Sequence, residues 1–338
     1  MSSFCCPECF GDRHLKLQLF PALSINRGQC SYCGSNAQPL LSPIDLREQF
    51  ELLISLYTRD ENGLTLVEWL KKDWAMFSHE KMDVAHSKDL LGEILDDGEI
   101  VRRKFNPREP VGTQAIQQWD QLRTELMHRN RFFPAITIDL DRLARLLPYL
   151  LIDTAEIPQI WHRARIQQTN TTFTPDEMGC PPKHLASHGR ANPAGIPYLY
   201  LASEEITAIS EVRPQPGEVV SVARFSIPEL KIIDLQNPRR TVSPFILSDE
   251  IELSALRADI EFLEKLGEEL TRPVLQRSAA FDYIPSQYLC EYAKRCGFDG
   301  VMYRSAAEGG SNLALFDAER AKVIDVSSRN ITRVVVEI

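Results

Sequence analysis

The sequence predicts an α+β protein in which a mixed C-terminal half follows a cysteine knuckle and a small helical domain. Three observations carry that prediction. Two Cys-x-x-Cys pairs fall within the first 33 residues. Apolar residues then recur at helical spacing as far as about Leu151. Beyond that point short β-branched or aromatic runs alternate irregularly with helical patterns, unlike the regular succession of a βαβ wheel. The division read from these changes is a knuckle over 1–40, a helical domain over 41–152 and a mixed domain over 153–338.

With 338 residues the chain is long enough for two or three domains, each with its own core. A hydrophobic content of 43% and a charged content of 25% are ordinary for a globular protein. The formal net charge of -9 argues against a general nucleic-acid binder, which normally carries a basic excess. No apolar run approaches the roughly 20 residues that span a bilayer. The early segment, with Glu8 and Asp12 among cysteines, lacks the core of a signal peptide, so a cytoplasmic location is expected and no membrane partner.

Cys6 and Cys9 form the first pair and Cys30 and Cys33 the second, at a separation suited to a four-cysteine zinc site. Gly34 follows as a turn residue. Four thiolates leave no open coordination position, which makes a Zn2+ held there structural. Cys5 competes with Cys6 for the first position, so the register is open. Cys180, Cys290 and Cys296 lack such spacing and are expected as buried apolar residues.

Helical periodicity follows in Leu46, Phe50, Leu53, Ile54 and Tyr57, in Leu64, Val67, Leu70, Trp74 and Phe77, and in Ile116, Trp119, Leu122 and Leu126. Loops at Asp97-Gly98 and from Asn106 to Pro110 separate these patterns. Arg123 and His128 stand at an Arg-x4-His spacing found in some helical nucleases; the simpler reading is a solvated helix end. Past a boundary near Asp153, strands are expected at Ile157–Ile166, Val219–Phe225, Ile232–Leu235, Gly300–Tyr303, Leu313–Phe316 and Val334–Ile338. Helices are expected at Glu204–Val212, Ile251–Leu270 and Ser286–Cys296.

Candidate chemistry concentrates between Gly189 and Pro214. A Gly-Arg-Ala-Asn-Pro turn leads into an apolar run ending at Tyr200, and Thr207 and Glu211 then share a helix face. A guanidinium clamps phosphate, a tyrosine ring stacks on a flat cation and a carboxylate stabilises positive charge. A charged dinucleotide needs all three. There is no Gly-x-Gly-x-x-Gly after a strand and no phosphate loop ending in Gly-Lys-Ser/Thr, so neither a Rossmann oxidoreductase nor an NTPase is supported. Ser305 lacks a Gly-x-Ser-x-Gly setting.

The ordered pieces HRARI, GCPP, GRANPAGIPYLY, TAISEVRP, GVMYRS and GGSNLALF resemble the RES domain family, named for an arginine, a glutamate and a serine in that order. The resemblance covers about residues 155–338. The CCPECF and CSYCG knuckles with the helical segment are similar to a HEPN-like extension of one branch of that family. Short RES toxins usually carry an aromatic residue where Ala191 stands, and they lack the knuckle, the helical part and the long helix around Ile251–Leu270.

The resemblance implies an ADP-ribosyltransferase-like fold and an NAD+-cleaving activity, as NAD+ glycohydrolase or ADP-ribosyltransferase, in a toxin or defence effector. It implies catalytic Arg163, Glu211 and Ser305. Loss of nicotinamide leaves an oxocarbenium-like ribose, and one carboxylate, Glu211, suffices to stabilise it because the leaving group is already cationic. Arg163 then anchors the pyrophosphate or the nicotinamide ribose, Tyr200 stacks on nicotinamide, and Ser305 orients Arg163, Glu211 or a ribose. Arg190, Asn192 and Arg165 are further substrate-binding candidates; on a strand Arg163 and Arg165 face the same side, so spacing does not separate them. His162, His184 and His188 offer a minor acid/base or metal reading. Expected partners are NAD+, a protein or nucleic-acid acceptor of ADP-ribose in place of water, and an antitoxin or regulatory partner. The alternative is a zinc-stabilised module that binds nucleic acid or protein through Arg13, Lys16 and Arg27 and carries a degenerate catalytic domain.

Overall fold

The computed structural model describes residues 3–108, 115–152, 156–169, 171–275, 277–306 and 309–334. Packing divides the chain into two units, Met1–Gln114 with Pro238–Phe262, and Ala115–Asn237 with Leu263–Ile338. This division by packing is distinct from the three-part division by motif, which we retain as a proposal.

In the first unit a short helix α1 (Pro7–Phe10) carries Cys9 and is preceded by Cys6, and α2 (Phe20–Leu23) follows. Strands β1 (Asn26–Gly28) and β2 (Gln38–Leu40) pair antiparallel on either side of Cys30 and Cys33. The helical patterns then appear as α3 (Arg47–Ile54) and α4 (Leu66–Trp74). A capping box starts α4, with Thr65 N donating to Glu68 Oε2 at 2.8 Å. Tyr57 is not part of α3, nor are Leu64 and Phe77 part of α4: Phe77 lies past its end, and Tyr57 and Leu64 lie on β3 (Tyr57–Thr65), which pairs antiparallel with β4 (Lys104–Pro107). The apolar spacing that suggested one continuous helix is met instead by Tyr57 facing inward from a strand whose partner lies some 50 residues away. Between them lies α5 (Val84–Leu95), capped by Asp83, whose carboxylate accepts from His86 N at 2.9 Å. The core is aromatic, with Phe10 packed on Phe20, Phe50 and Phe77 at centroid distances of 5.6–6.0 Å.

The second unit begins with α6 (Ala115–His128) and α7 (Leu140–Leu146), and then builds one seven-stranded mixed sheet. Its first members are β5 (Trp161–Ile166), β6 (Leu199–Ala202), β7 (Val219–Ser226) and β8 (Ile232–Asp234), with α8 (Glu205–Val212) between β6 and β7. The chain returns to the first unit through α9 (Pro238–Thr241) and the start of α10 (Glu250–Thr271). There Phe245 packs on Phe50 at 5.2 Å, Arg239 donates to the carbonyls of Lys72 and Asp73, and Arg257 lies 3.5 Å from the Asp73 carboxylate. The second unit resumes with the end of α10, α11 (Ala279–Asp282), α12 (Ile284–Arg295), β9 (Gly300–Arg304), β10 (Ser311–Leu315) and β11 (Lys322–Asn330).

The strand order is β11-β7-β5-β6-β10-β9-β8, antiparallel throughout except for the parallel pair β8 and β9. The fold class is therefore mixed α+β, as the irregular strand and helix pattern predicts. Five of the expected strands, those now β5, β7, β8, β9 and β10, form within a few residues of their expected ends, whereas the inner strand β6 was not expected. Val334–Ile338 falls almost wholly outside the described residues, as do Asp153 and the Glu109-Pro110 end of the predicted loop. Edge strand β11 went unpredicted because Lys322–Asn330 alternates weakly and is largely exposed.

Alternation along the strands gives the sheet two apolar faces. Trp161, Leu199, Leu201, Phe225, Leu313 and Leu315 form the larger core on one side. Ala164, Ala202, Val220 and Val222 face the other side and meet Ala208 of α8. Fully burying a side chain such as Leu199 or Phe225 contributes about 1.5–3 kcal/mol. The alanines of the second face instead keep that side shallow, and a hollow forms there. Among the described residues no helix is long and apolar enough to cross a membrane.

Candidate active site

The hollow exists because two strands part. β5 pairs with β7 along its whole length, from Trp161↔Phe225 to Ile166↔Val220, but with β6 only at His162↔Ala202. Past that point the backbones diverge, and the Arg163 side chain enters the gap, its Nη1 3.5 Å from the Tyr200 carbonyl, the outer limit of a hydrogen bond. The Arg163 Nε is buried and has no hydrogen-bond partner among the described residues. Burial holds the pKa of this guanidinium below its ordinary value. A half-buried cation with a buried, unfilled donor is costly unless an anion completes it.

A cavity of about 360 Å³ opens at this gap, and Arg163 and Glu211 both line it, with His162, His188, Arg190, Tyr200, Tyr283, Tyr303 and Asn312. Glu211 stands on the last turn of α8, which ends where Arg213 adopts φ 50°. The helix is pinned by Thr207, whose Oγ1 donates to the Gly309 carbonyl at 2.6 Å. Gly310, at φ 94°, permits that approach: a Cβ there would stand 2.8 Å from Thr207 Oγ1 and 2.9 Å from Ser203 Oγ. So anchored, Glu211 receives two donors on the same oxygen, Ser305 Oγ at 2.8 Å and Asn312 Nδ2 at 2.6 Å to Oε1. The serine of the ordered motif thus reaches the carboxylate.

Arg165 does not line the cavity. It donates to the Glu177 carbonyl, and its guanidinium lies 5.0 Å from the Phe173 ring centroid. Structure therefore separates two arginines that spacing leaves equivalent. Asn192 is also absent from the lining: it is buried, its amide donates to the carbonyls of Ser187, Pro193 and Ile196, and its Oδ1 accepts from Tyr200 OH at 2.7 Å. This residue staples the turn that supports Tyr200. The same turn needs Gly189, where a Cβ would stand 2.4 Å from Asn192 Oδ1 and 2.6 Å from Tyr200 OH.

Tyr200 lines the cavity with its phenol fixed, since the hydroxyl also accepts from Ala191 N at 2.9 Å. Burial pushes the phenols of Tyr200 and Tyr303 well above their ordinary pKa, so both are neutral. Arg190 lines the cavity too, but its Nη1 donates to the carbonyls of Leu270 and Arg272 at 3.2 and 2.7 Å, capping the C-terminal end of α10, and its guanidinium lies 5.3 Å from the Tyr283 ring centroid. His162 and His188 border the cavity and His184 does not. Sequence reasoning missed Tyr283, Tyr303 and Asn312. Asn312 sits inside the GGSNLALF piece, but only its register opposite Ala202 and Tyr303 reveals which way it serves.

Elsewhere, the sulfurs of Cys6, Cys9, Cys30 and Cys33 lie within 4.8 Å of one another, all buried. Cys6 and Cys33 are 3.4 Å apart and Cys9 and Cys30 3.3 Å, too long for disulfides. A zinc tetrahedron with bonds near 2.3 Å has sulfur–sulfur edges of about 3.8 Å, so the cluster is compatible with a zinc site. Cys5 stands apart, its Sγ directed to the Leu41 carbonyl at 3.6 Å, which fixes the register on Cys6. The other cysteines differ from expectation in one case: Cys290 is buried, Cys180 partly so, and Cys296 is exposed.

Several side chains of the competing readings have partners of their own. Arg123 Nε lies 2.8 Å from the Glu269 carboxylate, and His128 packs on Phe281 at 6.1 Å, so the Arg-x4-His pair serves as structure. Lys16 pairs with Glu8 at 2.9 Å, and Arg27 donates to the Ala37 carbonyl.

Compared with known proteins, residues 159–334 match the family model of the RES domain. Among solved structures, a chain of "Crystal structure of the M.tuberculosis MbcT-MbcA toxin-antitoxin complex" is similar to this one at 14% identity and a TM-score of 0.34, over 56% of this chain and 92% of that chain. No curated protein matches the sequence.

Proposed function

The chain belongs to the RES domain family, and from that premise we propose that it cleaves NAD+ at the bond between nicotinamide and ribose. One observation carries the reading: Arg163, with donors unfilled, and Glu211, with one carboxylate oxygen already engaged, border the same cavity. Arg163 grips the pyrophosphate or the adjoining ribose. Glu211 Oε1 is held by Ser305 and Asn312, which leaves Oε2 to bond a ribose hydroxyl and to face the oxocarbenium-like carbon as nicotinamide departs. Nicotinamide leaves neutral and needs no acid. Tyr200 presents a fixed aromatic wall to the nicotinamide ring, and the neighbouring neutral Tyr303 adds no competing charge. Arg190 and Asn192 support the reading as braces of this wall.

The acceptor is water, giving a glycohydrolase, or a macromolecule, giving an ADP-ribosyltransferase. The biological role that fits is a toxin or defence effector acting in the cytoplasm, restrained by an antitoxin or regulatory partner. The four cysteines hold a structural Zn2+, and residues 41–152 form a HEPN-like extension without nuclease chemistry.

Full-length protein incubated with NAD+ should release nicotinamide, measured by chromatography. Glu211→Gln keeps the side-chain shape and removes the charge; it should lower kcat by about 1,000-fold or more while melting as the parent does. An undiminished rate in this variant rules the mechanism out.

A further inference from the structure

Glu211 owes its orientation to a residue outside the arginine, glutamate and serine set. Asn312 is 6% exposed, lies on β10 between β6 and β9, and places Nδ2 2.6 Å from Glu211 Oε1, shorter than the 2.8 Å contact from Ser305. A carboxylate oxygen so close requires the amide nitrogen, because the amide oxygen would meet it as a second acceptor. The two donors reach the carboxylate from different strands: Asn312 from within β10 and Ser305 from the end of β9. Both bind the same oxygen, so the carboxylate cannot turn about its last torsion without breaking two charge-assisted hydrogen bonds.

We infer that Asn312 is a positioning residue of the cleft, whose amide, together with the Ser305 hydroxyl, holds Glu211 Oε1 and thereby presents Oε2 to the substrate. This rests on the reading of the cavity as the site of NAD+ cleavage. The role is electrostatic. An amide donor steadies the ionised carboxylate without adding charge, whereas a carboxylate of the same shape opposes it. A residue kept only for packing behaves otherwise, since an isosteric replacement then costs less than truncation.

The test compares Asn312→Ala with Asn312→Asp in the full-length chain. Asn312→Ala should lower kcat for nicotinamide release by about 10- to 100-fold, with KM within about threefold, and Asn312→Asp should lower it further. If Asn312→Asp retains more activity than Asn312→Ala, the side chain is packing and the inference fails. A second measurement reads the contact without turnover. Asn312→Asp should lower the melting temperature, and adding Glu211→Gln to it should restore roughly 2–4 °C, because a carboxamide then donates to a carboxylate again. Additive shifts in that pair overturn the contact. A parent chain that turns over no NAD+ sinks the functional reading and the inference with it; an active parent with unaffected Asn312 variants sinks the inference alone.

Discussion

The cysteine knuckle and the cleft beside β5 both gather side chains from distant points of the chain, yet they leave opposite things undone. In the knuckle four buried sulfurs turn on one another, and a tetrahedral cation there has no position left for a further ligand. In the cleft a guanidinium keeps an unfilled buried donor and a carboxylate keeps one oxygen without a described partner. Closure is the mark of a structural centre, and unspent hydrogen-bonding capacity beside a cavity is the mark of a binding one.

The harshest way to break that contrast is to open the knuckle. Purified protein should contain one zinc per chain by atomic spectroscopy, and Cys30→Ser should lose it together with the cooperative unfolding of the first unit. Structural zinc in small peptides contributes about 10 kcal/mol or more, so the effect exceeds any single hydrogen bond. A parent protein free of zinc removes the knuckle from consideration as a metal centre, and a metal-free Cys30→Ser protein of unchanged stability removes its structural role. The cleft is sharpened by its two arginines. Arg163→Ala should reduce kcat/KM for NAD+ by roughly 100-fold and Arg165→Ala by no more than about threefold. Equal losses erase the distinction drawn from the parting of β5 and β6.

The smallest effect is alkaline. Burial raises the pKa of Tyr200 and Tyr303 above the ordinary value of 10.0 in the folded chain. The folded state therefore holds protons that the unfolded state gives up, and the stabilisation is full below about pH 10 and lost as pH climbs toward the folded values. Calorimetry should show a melting temperature insensitive to these phenols up to about pH 9.5 that then falls by a few degrees per unit, less steeply in Tyr303→Phe. A fall of equal slope in the variant means that other groups cause it.

Much of this was legible before any coordinates. Most sheet strands announce themselves by β-branched and aromatic runs, though β6 does not, the knuckle by spacing, and Arg163, Glu211 and Ser305 by their order along the chain. Most of what escaped comes from long-range pairing. The β3 and β4 pair needs partners some 50 residues apart, and β11 is a polar edge strand that pairs only with β7 among the described residues. Arg163 and Arg165 differ because β6 leaves β5 after a single paired residue, which no local pattern encodes. Asn192 looked like a ligand contact because asparagine in a Gly-rich turn is chemically suited to one, and its amide is instead consumed by three backbone carbonyls of its own loop.

The return of Pro238–Phe262 to the first unit has a consequence for how this chain is made and cut. A ribosome delivers residues 1–114 long before the segment that supplies Phe245 to Phe50 and Arg239 and Arg257 to the end of α4. That amino-terminal segment must wait, incomplete, until well over a hundred further residues have emerged. A fragment ending at the motif boundary is denied that segment altogether, and a fragment beginning there carries a stretch whose packing partners have been discarded. Activity assigned to either piece in isolation would describe a molecule that the intact chain never forms.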